Sequence, residues 1–233
     1  PTIFDGYEKN SVKSKIISIL QNFNEVDFLK DQSIEDCIII TENTCFYGES
    51  GGQVGDTGTI KSKNGEFLVK DTKKTPQGIF IHFGKLISGS INVGEEVDIS
   101  IDGERRSLIM KNHSATHLLH AALRNTLGNH VAQRGSLVNS EKLRFDFSHN
   151  KQISHDDINK IQDEVNSVIK TSSKSNIEIK SQEDAIKAGA IALFGEKYGD
   201  EVRVVTLGSK NDNPYSIELC GGTHVKDVTE ISK

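Results

Sequence analysis

The segment from Glu104 to Leu127 contains neither glycine nor proline, and it constrains the fold more than any other part of the chain. Gly128 follows it at a position where helices commonly end. We therefore predict one long helix over residues 104–127. The hundred residues before it have the opposite character, because glycine or asparagine residues separate short apolar runs. The change falls near Asp102–Gly103, and we place a domain boundary there.

The first hundred residues are predicted to form β-strands. The apolar runs with strand character include Cys37–Ile40, Gly65–Val69, Ile79–Phe83 and Val97–Ile101. Asn64–Gly65 lies between two such runs and is typical of a β-hairpin turn. Short strands with turns at this spacing favour a small barrel or sandwich. We therefore expect a β-barrel-like subdomain over residues 1–102.

The remainder, residues 103–233, is predicted to form an α+β domain with two layers. Ser154 followed by Asp157 indicates the start of a helix that runs to about Lys170. A shorter helix is expected over Gln182–Ala188, before Gly189. The expected strands are Val131–Val138, Lys142–Phe147, Asn176–Lys180, Val202–Leu207 and Tyr215–Leu219. Long helices on one side of a mostly antiparallel sheet give this α+β class.

The composition of the chain disfavours several classes of protein. The 233 residues are 35% hydrophobic and 26% charged, which is typical of a globular chain with a core. No run approaches the ~18 apolar residues of a membrane helix, and Pro1–Tyr7 is not a signal peptide. Three cysteines cannot form a disulfide framework, so we expect a reducing, cytoplasmic location. The ends resemble those of a segment cut from a longer chain, since Pro1 is not an initiator.

Two histidines and a distant Cys–His pair suggest a metal site. His113 and His117 lie one helical turn apart, so their imidazoles point the same way. Cys220 and His224 flank a Gly-Gly turn that follows a strand-like run. Three nitrogens and one sulfur suit zinc. The long sequence separation excludes a compact zinc finger, so such a site would have to be assembled by the fold.

Helical periodicity places these histidines on a polar stripe of the long helix. That stripe comprises Arg106, His113, His117, His120 and Arg124. The roughly opposite face comprises Leu108, Ala115, Leu119 and Ala122. We expect the apolar face to pack on the sheet and the polar stripe to be solvated or to line a cleft.

The ligand set leaves the role of the metal open. Four protein ligands are typical of a closed structural site, whereas catalytic zinc keeps a position for water. Cys220 could instead be a nucleophile with His224 or His117 as its base, but zinc ligation would weaken that nucleophile. A zinc peptidase is disfavoured because no glutamate follows His113.

Four runs of the sequence resemble one known family. They are Phe46–Gly58, His113–His120, Gln133–Ser136 and Glu218–Val225. Together they resemble the editing domain of alanyl-tRNA synthetase, which has free-standing relatives, the AlaX proteins, and a more distant cousin in threonyl-tRNA synthetase. The resemblance covers essentially the whole chain in the family's order and spacing. Phe4–Tyr7 is closer to the synthetase than to AlaX, so we expect an internal domain whose ATP-dependent ligase domain lies upstream.

The resemblance implies a zinc-dependent deacylase. Its substrate would be alanine tRNA that carries serine or glycine on its 3′-terminal adenosine. The implied zinc ligands are His113, His117, Cys220 and His224. The implied pocket residues are Thr116, which would contact the serine hydroxyl, Gln133 and Gln53. Our own hypothesis for the mechanism is that the N–H groups of Gly221 and Gly222 hold the developing oxyanion.

Each of these residues also has a simpler local explanation. The Thr116 hydroxyl could bond to its own helix carbonyl, and Gln133 could be an ordinary strand residue. Ser50–Gln53 contains the Gly-Gly-Gln tripeptide of release factors, but three residues cannot transfer a function between folds. The glycines could simply supply positive φ in a tight barrel turn.

The acceptor end of tRNA would need a basic patch, because the net charge of −5 excludes a surface that is basic overall. The candidate phosphate contacts are Arg105, Arg106, Lys111, Arg124, Lys142 and Arg144. We expect weak tRNA affinity for the isolated domain. Two alternatives remain open: a free-standing deacylase that acts in trans, and a non-catalytic tRNA-binding module stabilised by zinc.

Overall fold

The computed structural model describes residues 1–192 and 199–232. It is a mixed α and β structure, so the predicted fold class is confirmed. The chain separates into two compact units. The first comprises Pro1–Ser50 and Val54–Arg106, and the second comprises Gly51–Gln53 and Ser107–Lys233.

The first unit is a closed antiparallel barrel. Its strands are β1 (Ile3–Phe4), β2 (Ser11–Gln21), β3 (Asn24–Val26), β4 (Phe28–Leu29), β5 (Cys37–Thr41), β6 (Asn43–Thr44), β7 (Gly58–Lys61), β8 (Gly65–Lys74), β9 (Phe80–Gly89), β10 (Ile91–Asn92) and β11 (Glu96–Ile101). The main sheet has the order β11-β7-β8-β9-β5-β2-β3. An additional pairing of β11 with β2 closes six of these strands into a ring, which removes the sheet edges.

Alternating burial builds the barrel interior. Along β9, Phe80, His82 and Leu86 point inward while their neighbours are more exposed. The hairpin predicted at Asn64–Gly65 joins β7 to β8, and the Ser62 hydroxyl accepts hydrogen bonds from both of those backbone N–H groups. Strand β2 is not among the strands that we predicted.

The second unit contains the remaining strands and most of the helical residues. Its strands are β12 (Gln133–Val138), β13 (Leu143–Phe147), β14 (Asn176–Ser181), β15 (Glu201–Lys210) and β16 (Asn213–Leu219). The helices are α1 (Gly103–Leu127), α2 (His155–Lys170) and α3 (Gln182–Lys187), followed by a 3₁₀ turn over Val228–Ser232. The division between the units falls within α1, after Arg106.

The helix boundaries follow the signals that predicted them. Asp102 accepts a hydrogen bond from the Arg105 N–H at the start of α1, and Gly128, just beyond its end, has a φ of +115°. The Ser154 hydroxyl caps α2 by accepting from the Asp157 N–H. None of the helices within the described residues combines the length and apolar character that crossing a membrane requires.

Helices cover both faces of the antiparallel β14-β15-β16 sheet. Val205 and Leu207 of β15 pack with Leu118 of α1 and Val168 of α2. The opposite face of β15 packs against Ala185 of α3 through a second cluster. The long helices therefore lie on one side of the sheet, as predicted, and the short α3 lies on the other.

The expected orientation of α1 is wrong in part. Leu108 is 46% exposed, and Ala122 packs with Ile161 of α2 and with Phe145 and Phe147 of β13 rather than on the β14-β15-β16 sheet. The histidines of the other stripe are not solvated, since His113 and His117 are at most 6% exposed, whereas His120 and Arg124 of that stripe line a cavity. The imidazoles point inward because other buried polar groups lie beside them.

An ion pair between Arg106 and Asp56 is buried inside the first unit, with both side chains at most 4% exposed. The Arg106 Nε lies 3.0 Å from Asp56 Oδ1, and its other nitrogens donate to the carbonyl oxygens of Gly6 and Cys45. Asp56 also accepts from the Tyr47 N–H at 2.7 Å. The predicted contact of Arg106 with tRNA phosphate is therefore wrong, because this guanidinium is enclosed and fully engaged.

We predict that Arg106→Met lowers the free energy of unfolding by about 3–5 kcal/mol, because it leaves the Asp56 carboxylate buried without its cation. Urea titration followed by circular dichroism measures this change. The control is Lys9→Met, whose ion pair with Asp5 is solvent-accessible and is expected to contribute at most about 1 kcal/mol. Equal, small losses in the two variants would contradict the structural role of Arg106.

Candidate metal centre

Four side chains converge in the second unit. His113 and His117 extend from α1, and Cys220 and His224 flank the turn after β16. One potential ligand atom from each lies within 4.8 Å of all the others, and all four residues are buried. The predicted quartet is therefore assembled by the fold from segments about a hundred residues apart.

Two of the distances between these atoms fit a tetrahedral zinc ion. The Cys220 Sγ lies 3.5 Å from His113 Nε2 and 3.4 Å from His224 Nε2. Bonds of about 2.3 Å to sulfur and about 2.0 Å to nitrogen at tetrahedral angles give a sulfur–nitrogen separation of about 3.5 Å. The His117 Nε2 is buried and has no hydrogen-bond partner among the described residues. A metal ion would satisfy that nitrogen, which is otherwise costly to bury.

Gln53 fixes the orientation of the His113 ring. The Gln53 Oε1 accepts the Thr223 N–H at 3.0 Å, and it lies 2.7 Å from His113 Nδ1. Since this oxygen can only accept, His113 must carry its proton on Nδ1. The Nε2 lone pair then faces Cys220, as metal ligation requires. Gln53 is fully buried, and its Nε2 donates to the Thr223 hydroxyl.

Two glycines place Gln53 there. Gly51 and Gly52 have φ values of +58° and +82°, which L-residues with a side chain rarely adopt. The Gly52 carbonyl accepts the Val138 N–H at 2.7 Å, so the turn is attached to β12. The predicted positive φ is therefore confirmed. The turn itself belongs to the second unit rather than to the barrel.

Glu218 supports the second imidazole. Its Oε2 lies 3.0 Å from His117 Nδ1, in an ion-pair contact. Its other oxygen, Oε1, lies 3.1 Å from His120 Nδ1 and accepts a hydrogen bond from the Ser216 hydroxyl. A carboxylate behind a ligating histidine orients the ring and raises its basicity.

Ser114 supports the third imidazole, and Arg203 holds the turn that carries it. The Ser114 hydroxyl lies 3.2 Å from His224 Nδ1 and accepts the Val225 N–H. The Arg203 guanidinium donates to the carbonyl oxygens of Cys220 and Gly222, each at 2.8 Å. Each imidazole of the cluster therefore has its second nitrogen beside a different side chain.

The electrostatics favour a thiolate at Cys220 and shift the pKa values of two of the imidazoles in opposite directions. Burial opposes ionisation of Cys220, but His113, His224 and His117 outweigh it and hold the thiol pKa well below its ordinary value. Burial also opposes charge on His117, yet the Glu218 carboxylate raises the pKa of that imidazole to about 10. Burial and the nearby His113 lower the pKa of His224 to about 3.

Glu218 is an anion in this setting. Burial would raise its pKa, but the adjacent imidazoles, His117 first, lower it to about 2. Both of its oxygens therefore act as hydrogen-bond acceptors only.

Two of the predicted pocket residues have partners inside the protein. The Thr116 hydroxyl donates to the Asn112 carbonyl at 2.8 Å, which is the simpler of its two predicted roles. Its oxygen can still accept a hydrogen bond. The Gly222 N–H donates to Cys220 Sγ at 3.4 Å, and its expected contact with an oxyanion stays a prediction. Gly221 is exposed, and its role stays a prediction.

Gln133 lies at the start of β12 and lines a cavity of about 160 Å³. The other polar side chains of that cavity belong to His120 and Arg124. A larger apolar groove of about 410 Å³ lies between α1 and α2, and none of the described residues that line it has a titratable side chain. The smaller cavity is therefore the better candidate for a polar ligand.

The six predicted phosphate contacts do not form one group. Arg105 donates to the Gly55 carbonyl in the first unit, as Arg106 does to other carbonyls. Arg124 donates to the carbonyl oxygens of Asn129 and Val131 and so fixes the chain after α1. The other three lie in the second unit: Lys111 is half-buried, Lys142 is exposed, and Arg144 is exposed beside Asp146.

Sequence reasoning missed three supporting residues, namely Ser114, Arg203 and Glu218. A signal existed only for Glu218, which is a lone acidic residue inside the apolar end of β16, two positions before Cys220. Arg203 acts on backbone carbonyl groups, and Ser114 acts through its hydroxyl. Nothing in the sequence distinguishes these two residues from surface residues.

Comparison with known families places the chain among the aminoacyl-tRNA synthetases. Residues 1–105 match the family described as tRNA synthetases class II (A). Residues 202–233 match the threonyl and alanyl tRNA synthetase second additional domain, which includes the Cys220–His224 turn. Both matches are to families of tRNA synthetases.

Two relatives of this chain are alanine–tRNA ligases. The chain is 47% identical over 235 aligned residues to the alanine–tRNA ligase of Parvibaculum lavamentivorans and 46% identical to that of a Chelativorans species. Each alignment covers 99% of this chain but only 26% of the relative. The chain is therefore similar to one segment, about a quarter of the length, of alanine–tRNA ligases, and the resemblance seen in the motifs is confirmed.

We predict that Gly222→Ala lowers zinc affinity by about 10- to 100-fold, the range seen when residues behind metal ligands are disturbed. A Cβ atom at this position would lie 2.1 Å from His113 Cε1 and 2.9 Å from Gln53 Oε1, so the imidazole would have to move. Competition with a chromophoric chelator measures the affinity.

Gly221→Ala is the matched control, since its Cβ would meet no atom within 4 Å. Its zinc affinity is expected to equal that of the unmodified protein. Equal affinities for both alanine variants would show that His113 does not hold the metal in the position described.

Proposed function

We propose that the chain hydrolyses the ester bond that links serine or glycine to the 3′-terminal adenosine of alanine tRNA. The observation that carries this proposal is the buried His113, His117, Cys220 and His224 cluster in a relative of alanine–tRNA ligases. Supporting it, the same unit contains a small cavity with polar side chains in its wall.

A separate hydrolytic site is needed because one binding pocket discriminates poorly between alanine, glycine and serine. A pocket that accepts alanine cannot exclude the smaller glycine by size, and a hydrophobic pocket discriminates only weakly against an added hydroxyl. A second site that destroys the wrong ester multiplies the accuracy. Such a site must prefer serine to alanine, so it needs a polar partner for the serine hydroxyl.

Thr116 is our candidate for that partner. Its hydroxyl proton is committed to the Asn112 carbonyl. The oxygen is therefore oriented as an acceptor, and a serine hydroxyl could donate to it. The alanine side chain has no hydrogen-bond donor, so the Thr116 oxygen would be left unpaired in a complex with an alanyl group.

The proposed reaction is hydrolysis by water. The water oxygen forms a bond to the ester carbonyl carbon, the bond from that carbon to the ribose oxygen breaks, and a proton moves to the ribose oxygen. A zinc ion held by the four ligands would supply Lewis-acid polarisation of the carbonyl. Gln53, Glu218 and Ser114 orient the three imidazoles so that their ligating nitrogens face Cys220.

We propose the acceptor end of alanine tRNA and the rest of a synthetase chain as the partners. The basic residues that remain for phosphate contacts in this unit are Lys111, Lys142 and Arg144. With so few cations and a net charge of −5, the affinity of this chain alone for tRNA should be weak and should fall with added salt.

A second candidate function is a non-catalytic tRNA-binding module stabilised by zinc. The observation that favours it is the closed ligand set, because four buried protein ligands are typical of structural zinc. A structural site would not need Thr116 or Gln133, so substitution of those residues would leave tRNA binding unchanged. Assay of deacylation separates the two functions directly.

We predict that the zinc-loaded protein deacylates Ser-tRNA and Gly-tRNA for alanine faster than Ala-tRNA. Removal of zinc, or either His113→Ala or Cys220→Ala, should lower the rate by about 100-fold or more, since Lewis-acid stabilisation contributes several kcal/mol. Release of radiolabelled amino acid measures the rate, and zinc content is determined on the same sample.

The matched controls are His155→Ala, which removes an exposed imidazole at the start of α2, and Cys37→Ala, which removes a buried thiol in the barrel. Both should retain full activity. Full activity in the metal-free protein would end the zinc-dependent version of the proposal, and no activity in the zinc-loaded protein would favour the binding module.

A further inference from the structure

Strand β14 is one of the two outer strands of the β14-β15-β16 sheet. The other outer strand, β16, is covered along its outer edge, because Ile191 exchanges backbone hydrogen bonds with Ile217 and Leu219. Within residues 1–192 and 199–232, β14 pairs with no strand other than β15. Its outer edge can therefore accept a strand from another chain.

The register of the sheet determines which residues of β14 face that edge. The Cys220 N–H donates to the Arg203 carbonyl at 3.0 Å, so the backbone polar groups of Arg203 are directed toward β16. In an antiparallel sheet this direction alternates along each strand, and two residues opposite each other point either toward or away from each other. Ile179 lies opposite Arg203, and Ile177 lies opposite Val205. The N–H and C=O groups of both isoleucines therefore point outward from the sheet edge.

The side chains of the same two isoleucines form an exposed apolar strip. Ile177 is 42% exposed and Ile179 is 62% exposed. Glu178 and Lys180 alternate with them on the other face of the strand and form an exposed ion pair at 3.1 Å. Edge strands are commonly protected by charged side chains, above all lysine. Here the two charges are opposite, so they do not prevent β14 from pairing with a strand of the same sequence.

Charge favours one antiparallel register for such a pair. When two copies of β14 are centred on Ile179, each Glu178 lies opposite the Lys180 of the other copy, and the two Ile179 side chains are in contact. The outward N–H and C=O groups of the two Ile179 residues then bond to each other. A register centred on Glu178 would place two glutamates opposite each other, which is unfavourable.

We propose that two copies of this chain associate through β14 in the register centred on Ile179, which continues the sheet from one copy into the other. The occupant is a second copy because the charges of the strand complement those of its own antiparallel image. The isoleucines of the two copies would cover one another on one face. Because one short strand makes the contact, the association should be weak, with a Kd of about 10–100 µM. The proposal is independent of the metal centre and of the proposed reaction.

Substitutions of charge test this register, because either single change replaces two pairs of opposite charges with two pairs of like charges. We predict that Glu178→Lys and Lys180→Glu each weaken self-association about tenfold or more. An equimolar mixture of the two variants should associate as tightly as the unmodified chain, since the lysines of one variant then face the glutamates of the other. Sedimentation velocity over about 5–500 µM protein measures the association.

The matched control is Glu8→Lys, which makes the same change of charge at an exposed position of the first unit and should leave the association unchanged. Circular dichroism should be the same for all variants, since the substituted side chains are not part of a core. A chain that stays monomeric throughout this range would overturn the inference and would favour another segment of a synthetase at this edge. Self-association that neither single variant weakens would also overturn it, as would a mixture that associates no better than each variant alone.

Discussion

The site depends on one arrangement, in which a thiol and three imidazoles are buried against one another. Among the described residues, the His117 Nε2 has no hydrogen-bond partner. Burying four such groups is costly unless a cation joins them. The cost is limited because the non-ligating nitrogen of each imidazole faces a different side chain. Gln53 and Glu218 thereby fix two of the rings, while Ser114 on α1 supports the third. A shared metal ion is the simplest element that completes this set.

The glycines of two turns make this packing possible. Gly52 lets the chain approach β12 closely enough for Gln53 to enter the cluster, since a Cβ there would lie 2.7 Å from the Ser136 carbonyl. Gly222 leaves room for the His113 ring in the same way. Both motifs are glycine-rich for steric reasons, and in the Cys220–His224 turn the backbone also donates directly to the thiolate. The positions of the metal-ligand candidates therefore account for Gly52 and Gly222.

Local patterns predicted the local structure well, because helix caps, glycine turns and alternating burial act over a few residues. The four metal-ligand candidates were also predictable, since His113 and His117 share a helix face and Cys220 and His224 share a turn. The supporting residues were not, because Gln53 is 60 positions from the histidine that it orients. Arg106 shows the opposite failure: it shares a helical stripe with those histidines, yet its partner Asp56 draws it into the barrel unit. Pairings of this kind depend on the tertiary fold and leave no local pattern.

X-ray absorption at the zinc edge tests the central claim most directly, because it reports the atoms bound to the metal rather than the consequences of binding. The protein as purified, reconstituted with one equivalent of zinc, should show one sulfur at about 2.3 Å and three nitrogens at about 2.0–2.1 Å. The sulfur should disappear from the spectrum in Cys220→Ala and remain in Cys37→Ala. A shell without sulfur, or a protein that does not retain zinc, would contradict the account of this site.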